Sequence, residues 1–418
     1  MMSKPGPRQY PLALVSIVLL FAIWGFAHRI NEAIEPQFTA FFRLTGTKAA
    51  LSQSVFTLAF FVFALPAVLF LRRFGYKLGA IFGLGSFAVG ALLLYPAIQR
   101  HEYLFFFAAV SVLGAGWAWL ETSANPLIVE LGSPETAVRR LNFAQIFYPV
   151  GTVAGYEFGR WLTKVNLVVQ SGQLTQAVVR PYVIVGLCVL FLAFLIENIE
   201  FPRVATERSG RDQSFREEAR CVLSRPEFRF AVLALCATIF AHSLIWLNMA
   251  GYIGEAIPGG WNIAAPELMM LMFVVYGAGR IIGTALMFRV DPMRLLVLSG
   301  GAAAVLTAAA VATGGSFSVV CLISTNLFLS IMFPTIFATA IRYLGPLKKT
   351  ASGLLVLAMG PGAILAYWVM RLADGLITLR LTFALPAAAF GIVFLYALAM
   401  RGSRSTSHDS VEHLATQR

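Results

Sequence analysis

Two carboxylates stand where a carboxylate is costly to keep. Glu32 lies about 20 residues into an apolar run that begins near Pro11, and Glu121 about 18 residues into another that begins near Tyr103. An ionisable side chain at bilayer depth costs about 2.5–3.5 kcal/mol on insertion scales, so its presence points to function by default. A buried carboxylate is tolerated when protonated and costly when ionised, which suits it to picking up and releasing a proton. The competing reading is a carboxylate paired for good to a neighbouring helix. That reading weighs more for Glu32, because Arg29 stands three residues before it on the same helical face. Amides, a phenol and an imidazole lie at similar depth: Asn31, Asn125, Gln145, Tyr148, His242, Asn248 and Asn326. These groups can hydrogen-bond the hydroxyls of a polar solute; for any single asparagine an interhelical hydrogen bond is the plainer account. His242 has neither a carboxylate nor a second histidine at i±3 or i±4, so a metal site is not expected there. Trp24, Trp119, Trp246, Tyr367 and Trp368 offer flat rings that would stack on sugar faces or simply pack.

The chemistry that is missing narrows the class further. The spans carry no Ser/His or paired-Asp arrangement, no HExxH and no nucleotide loop, so no catalytic residue and no enzyme are expected. Cys188, Cys221, Cys236 and Cys321 lack metal-ligand spacing and read as packing residues. No metal and no cofactor are expected.

The elements that must hold these residues are membrane helices. Of the 418 residues 58% are hydrophobic and 12% charged, against about 25% charged in soluble domains. The apolar residues fall into continuous blocks of about 20, the length that spans a bilayer as helix, whereas barrel strands would alternate. Twelve spans follow, at about 11–38, 50–71, 78–98, 103–130, 141–163 and 181–200, then 228–254, 266–288, 294–313, 316–341, 351–372 and 381–400. The fold class expected is an all-α membrane protein of twelve transmembrane helices in two pseudo-symmetric six-helix bundles. Its parts are an N-terminus at 1–10, a first bundle at 11–200, a linker at 201–227, a second bundle at 228–400 and a tail at 401–418. The linker is polar, with a short amphipathic helix around Phe215 to Leu223, and the tail is polar and without expected order.

The net charge of +12 would hint at nucleic acid in a soluble chain. Here topology explains it. With both termini inside, the inner loops hold 22 of the 32 basic residues and the outer loops seven. Nucleic acid is therefore not expected as a partner, and a bacterial cytoplasmic (inner) membrane with both termini cytoplasmic is. The halves also echo each other: Arg72-Arg73-Phe74-Gly75-Tyr76-Lys77 answers to Phe288-Arg289-Val290-Asp291-Pro292, and Leu131-Gly132 to Leu344-Gly345. Two six-helix halves around a midplane site are a transporter plan. Pro36, Pro126, Pro149, Pro334 and Gly360-Pro361-Gly362 fall inside spans and permit bending. Arg280, inside span eight, would snorkel or pair with helix carbonyls.

Several stretches together resemble the fucose–proton symporter family of the major facilitator superfamily. They are Trp24-Gly25-Phe26-Ala27-His28-Arg29-Ile30-Asn31-Glu32 with Pro36-Gln37-Phe38, Leu120-Glu121-Thr122-Ser123-Ala124-Asn125-Pro126, Pro134-Glu135-Thr136 and Arg140-Leu141-Asn142-Phe143-Ala144-Gln145. Ala278-Gly279-Arg280 and Ile331-Met332-Phe333-Pro334-Thr335-Ile336-Phe337 join them in the second half. The resemblance implies sugar uptake with protons, with Glu32 and Glu121 as the proton-coupling carboxylates of helices one and four. It implies Gln145 in the cavity, and His242 where the family has a glutamine. The sequence departs from the family at Glu32, usually aspartate; at His28-Arg29, usually asparagines; and at Tyr148, where an asparagine is usual. Those changes surround the cavity and bear on which sugar is carried.

The function expected is therefore proton-coupled uptake of a monosaccharide or sugar derivative by a monomer in the lipid bilayer, with the proton as coupling ion. Asn31, Asn125, Gln145, Tyr148, His242 and Asn326 are the expected substrate-binding residues. The alternative within the same fold is an uncoupled facilitator, or an exporter of another small polar metabolite. A transporter-like receptor would need an appended soluble domain, for which linker and tail are too short.

Overall fold

The computed structural model describes residues 10–167, 174–202, 214–257, 265–373 and 378–415, and every regular element among them is helical. Side chains are described for all of these except 28, 30–40, 46–54, 57, 162–167, 174–180, 265–266, 373 and 402–415. The first half of the chain gives α1 (Pro11–Phe41), α2 (Gly46–Phe74), α3 (Tyr76–Gln99), α4 (Tyr103–Glu130), α5 (Ala137–Ala144), α6 (Phe147–Leu167) and α7 (Leu174–Asn198). The linker helix is α8 (Phe215–Leu223), at the place the sequence suggests. The second half gives α9 (Pro226–Ala256), α10 (Ala265–Leu286), α11 (Pro292–Thr313), α12 (Gly315–Leu329), α13 (Met332–Ile341), α14 (Lys348–Ala373), α15 (Leu379–Thr382) and α16 (Ala384–Ala415). Nine stretches among the described residues are long and apolar enough to cross a bilayer. Taking α5 with α6, α12 with α13 and α15 with α16 as single crossings gives six crossings in each half.

Three spans expected to be continuous are broken, and proline explains each. Span five stops at Ala144 and restarts at Phe147. Pro149 has no N–H to give the carbonyl of Gln145, and its ring crowds that carbonyl. Span ten stops at Leu329 and restarts at Met332, and Pro334 stands in the same relation to Ser330. Span twelve stops at Thr382 and restarts at Ala384, where Pro386 leaves the Thr382 carbonyl without a helical donor. Pro126 and Pro361, in contrast, sit inside the unbroken helices α4 and α14. The tail also differs from expectation, since the backbone of α16 runs on as helix to Ala415. Residues 401–415 contain no proline, and the single Gly402 costs only about 1 kcal/mol in a helix.

The chain divides into two compact units. The first comprises Met1–Arg140, Ala144–Glu218 and Arg342–Leu357. In it α4 lies along α2 and α3, α3 along α7, and α1 along α6. The α1–α6 seam depends on glycine. A Cβ at Gly151 would strike the Ala22 carbonyl, and one at Gly25 the Tyr148 carbonyl, so the two backbones are in contact. The end of α4 is closed by Arg140, whose Nε donates to the Ile128 carbonyl at 2.7 Å and whose Nη2 donates to that of Val129 at 2.6 Å. Both carbonyls lie in the last turn of α4, where helical donors run out; that of Ile128 also accepts from the Leu131 N–H at 3.3 Å.

The second unit comprises Leu141–Phe143, Ala219–Ile341 and Ala358–Arg418. There α16 lies along α9 and α11, and α12 along α10 and α11. Asp291 caps α11, accepting from the backbone N–H of Met293 at 2.9 Å and Arg294 at 3.3 Å, with Pro292 at the first helical position. Gly279 lets α10 touch the backbone of α12 at Leu327. Tyr367 and Trp368, 39% and 57% exposed on α14, lie on an outer face and are read as membrane-facing rings.

Candidate functional site

Glu121, on α4, is only 6% exposed. Asn125, one turn on and fully buried, donates from Nδ2 to its Oε1 at 2.6 Å. Gln145 in turn donates from Nε2 to Asn125 Oδ1 at 2.6 Å. The break in span five accounts for this reach. Gln145 sits in the gap between α5 and α6, whose tight turn is closed by the Tyr148 N–H donating to the Gln145 carbonyl at 3.3 Å. The result is a row of amide, amide and carboxylate drawn from two spans, three residues that the sequence singles out separately. Trp117, one turn before Glu121, also hydrogen-bonds the carboxylate.

Rings wall this row. Trp117 meets Trp24 of α1 edge-on at 5.1 Å and Phe56 of α2 at 5.1 Å. Tyr148, half-buried at the start of α6, meets Trp24 edge-on at 6.0 Å. Trp24, Ile23, Leu120 and Phe87 border a small apolar pocket behind them. Trp117 was not singled out from the sequence; its place four residues before a membrane carboxylate is the signal that marks it. Trp119 faces elsewhere, packed on Ala67, Ala115 and Phe70, and belongs to the core.

A second cluster lies in the second unit. His242 of α9, half-buried, stands edge-on to Trp246 at 4.4 Å and tilted to Tyr276 of α10 at 5.8 Å. Trp246 donates its indole N–H to Asn326 Oδ1 at 2.8 Å. Asn326 is fully buried and donates to its own helix at Leu322 and Ile323, so its amide serves to hold the Trp246 ring. Asn248 likewise donates to Leu244 in its own helix. Arg280 does not snorkel. At 2% exposed it donates to the Tyr276 hydroxyl at 2.6 Å and to the Ser330 carbonyl, the one that Pro334 leaves without a helical donor. Among the described residues no group of His, Cys, Asp and Glu could hold a metal ion.

The side chains of Asn31 and Glu32 lie outside the described residues. Arg29, whose side chain is described, is half-buried in α1.

Comparison with known proteins places these residues in context. Residues 12–367 match the family model described as Major Facilitator Superfamily. The L-fucose-proton symporter of Escherichia coli (strain K12) is 29% identical, over 93% of each chain. The Glucose/galactose transporter of Brucella abortus biovar 1 is 32% identical, over 95% of this chain and 96% of its own. Among solved structures, the crystal structure of the E. coli Fucose:proton symporter superposes with a TM-score of 0.83 at 29% identity, covering 93% of this chain and 98% of that one.

Proposed function

The chain belongs to the Major Facilitator Superfamily, and from that premise we propose that it takes up a monosaccharide or close sugar derivative together with protons, by alternating access. Relatives named for fucose–proton symport and for glucose/galactose transport support this over nearly the whole chain. The observation that carries the reading to particular atoms is the row Gln145–Asn125–Glu121, a carboxylate in a buried, ring-walled place with amides lined up on it.

Glu121 is the proton-coupling carboxylate in this reading, and Glu32 its companion on α1. Asn31, Asn125, Gln145, Tyr148 and His242 bind the sugar, and Asn326 acts by fixing Trp246. An ionised Glu121 disfavours closure of an empty cavity around it, because a buried charge without its water is costly. Protonation removes that cost, and sugar hydroxyls then satisfy the polar groups that closure takes from water, so proton and sugar together shift the equilibrium toward the closed and re-opened states. We place the protein in the bacterial cytoplasmic membrane as a monomer with both termini cytoplasmic, using the proton as coupling ion and no cofactor.

A sugar panel tests the substrate class. L-fucose, D-glucose, D-galactose and related monosaccharides are added to the purified protein and its thermal unfolding is followed. A ligand at a hundred times its Kd adds about 2.7 kcal/mol of stability, so at least one sugar is expected to raise the unfolding temperature by several degrees. A panel in which no sugar moves it, while an unrelated polar metabolite does, would overturn the sugar reading.

A further inference from the structure

Glu121 has two side-chain donors on it, and they are not alike. Asn125 gives its amide Nδ2–H to Oε1 at 2.6 Å, and the same nitrogen lies 3.2 Å from the Glu121 backbone carbonyl. Its own Oδ1 accepts from Gln145 at 2.6 Å. Asn125 is therefore pinned on both sides of its amide and cannot turn over without breaking the row. The other donor is the indole N–H of Trp117. It belongs to a half-buried ring that Trp24 of α1 and Phe56 of α2 meet edge-on. All of these residues lie in the first compact unit.

An indole N–H donates and has nothing with which to accept. An ionised carboxylate accepts from both neighbours, and such charge-assisted bonds are about twice as strong as neutral ones. A proton on Glu121 removes the charge and turns one of its oxygens into a donor. Asn125 keeps its oxygen because it is pinned, so the bond that gives way is the one to Trp117. Protonation thus releases an N–H in the wall of the row, among the residues read as binding sugar. A buried N–H without an acceptor is unfavourable, and the oxygen of a sugar hydroxyl is an acceptor.

We propose that Trp117 is a proton-dependent sugar-binding residue, whose indole N–H is held by ionised Glu121 and passes to a sugar hydroxyl when Glu121 takes up a proton. The inference deepens the proton-coupled sugar reading above and rests on it. One N–H serves the carboxylate or the sugar, so a proton on the first creates affinity for the second. Other titratable groups stand on the elements packed around α4. α2 and α3 carry theirs near their ends, at Lys48, Arg72 and Arg73 and at Tyr76, Lys77 and Tyr95. α1 carries His28, Arg29, Glu32 and Glu35 beyond Trp24, and the start of α6 carries Tyr148. The test therefore isolates Glu121 by its own substitution.

The first arm contains no sugar. Ultraviolet resonance Raman spectra of the purified full-length protein report hydrogen bonding at indole N–H groups, and subtraction of the Trp117→Phe spectrum isolates Trp117. Its N–H is expected to be strongly bonded in alkaline buffer and weakly bonded in acid buffer. In Glu121→Gln, which stays neutral, it is expected to be weakly bonded in both, a comparison that needs no change at Trp117. Equal signals from the parent protein and Glu121→Gln in alkaline buffer would overturn the proposal. The second arm measures how L-fucose, D-glucose and D-galactose raise the unfolding temperature. Trp117→Phe keeps a ring against Trp24 and Phe56 and removes the N–H. For a sugar that stabilises the parent, this change is expected to weaken binding about three- to tenfold in acid buffer, the worth of one hydrogen bond, and not to weaken it in alkaline buffer. Combined with Glu121→Gln, it is expected to weaken binding in both. An equal loss in both buffers with Glu121 in place, or no loss in acid buffer, would overturn the proposal, since the ring would then act by shape alone. If none of the three sugars stabilises the parent while the indole signal still shifts, the substrate reading fails and the release of the N–H stands.

Discussion

Glu121 gains its meaning from what touches it. An asparagine amide at 2.6 Å, a tryptophan one turn away and 6% exposure make a place that a carboxylate occupies either protonated or held by donors. Glu121→Gln mimics the protonated acid and cannot cycle. It is expected to abolish uphill accumulation while sugar exchange between equal pools continues, as measured by counterflow in proteoliposomes; accumulation at the parent level would remove Glu121 from the coupling step. Tyr148 is the second residue to change. The family offers a small amide there, and this chain offers a ring that already leans on Trp24 at 6.0 Å. Tyr148→Asn is expected to reorder the competition profile across the sugar panel with little effect on expression. An unaltered profile would mean that the ring faces away from the sugar. Glu121, Asn125 and Gln145 were legible in the sequence because polar residues deep in apolar runs have few reasons to be there. Their alignment in one row was not legible, since it depends on side-chain direction across two spans. Trp117 was overlooked for a related reason: an aromatic in a membrane span usually packs, and only its spacing from Glu121 says otherwise.

Helices place these residues, and the places where helices fail matter as much as where they run. Pro149 and Pro334 were visible in the sequence as helix breakers. What could not be read was that they would cut spans five and ten while Pro126 and Pro361 would leave α4 and α14 whole. At span ten the freed carbonyl finds a partner on a neighbouring helix, since Arg280 donates to the Ser330 carbonyl; at span five the Tyr148 N–H of the same turn donates to that of Gln145. Glycine seams were equally hidden, because glycine in a membrane span is common and its use appears only with the neighbour in view. The α1–α6 seam is the one that positions Tyr148 and Gln145. Gly151→Val would drive a side chain into the Ala22 carbonyl and is expected to cost about 1–3 kcal/mol, as overpacking does. Thermal unfolding of the detergent-solubilised variant checks this. Gly85, with open space where a Cβ would stand, supplies the control, and Gly85→Ala is expected to leave stability at or above that of the parent. Equal loss at both positions would contradict the close-contact account of the seam.

At the scale of the whole molecule, composition alone fixed the class, because 58% hydrophobic residues in blocks of about 20 have one stable solution in lipid. The even distribution of crossings between halves was readable from loop charge and weak internal repeats. The attachment of the first turns of α14 to the first unit was not, since the residues that meet there, Glu218 with Arg72 at 3.1 Å and with Thr350, lie far apart in sequence and none stands in an apolar run. The central claim is that movement of protons and of sugar is one event. It is tested by loading purified protein into proteoliposomes whose interior is made alkaline, adding at low external concentration the sugar that stabilises the protein most, and following its internal concentration with and without a protonophore. The account predicts that the sugar rises inside well above its outside concentration and falls back to equality when the protonophore is added. Uptake that stops at equal concentrations while the gradient stands would contradict coupling and leave an uncoupled facilitator.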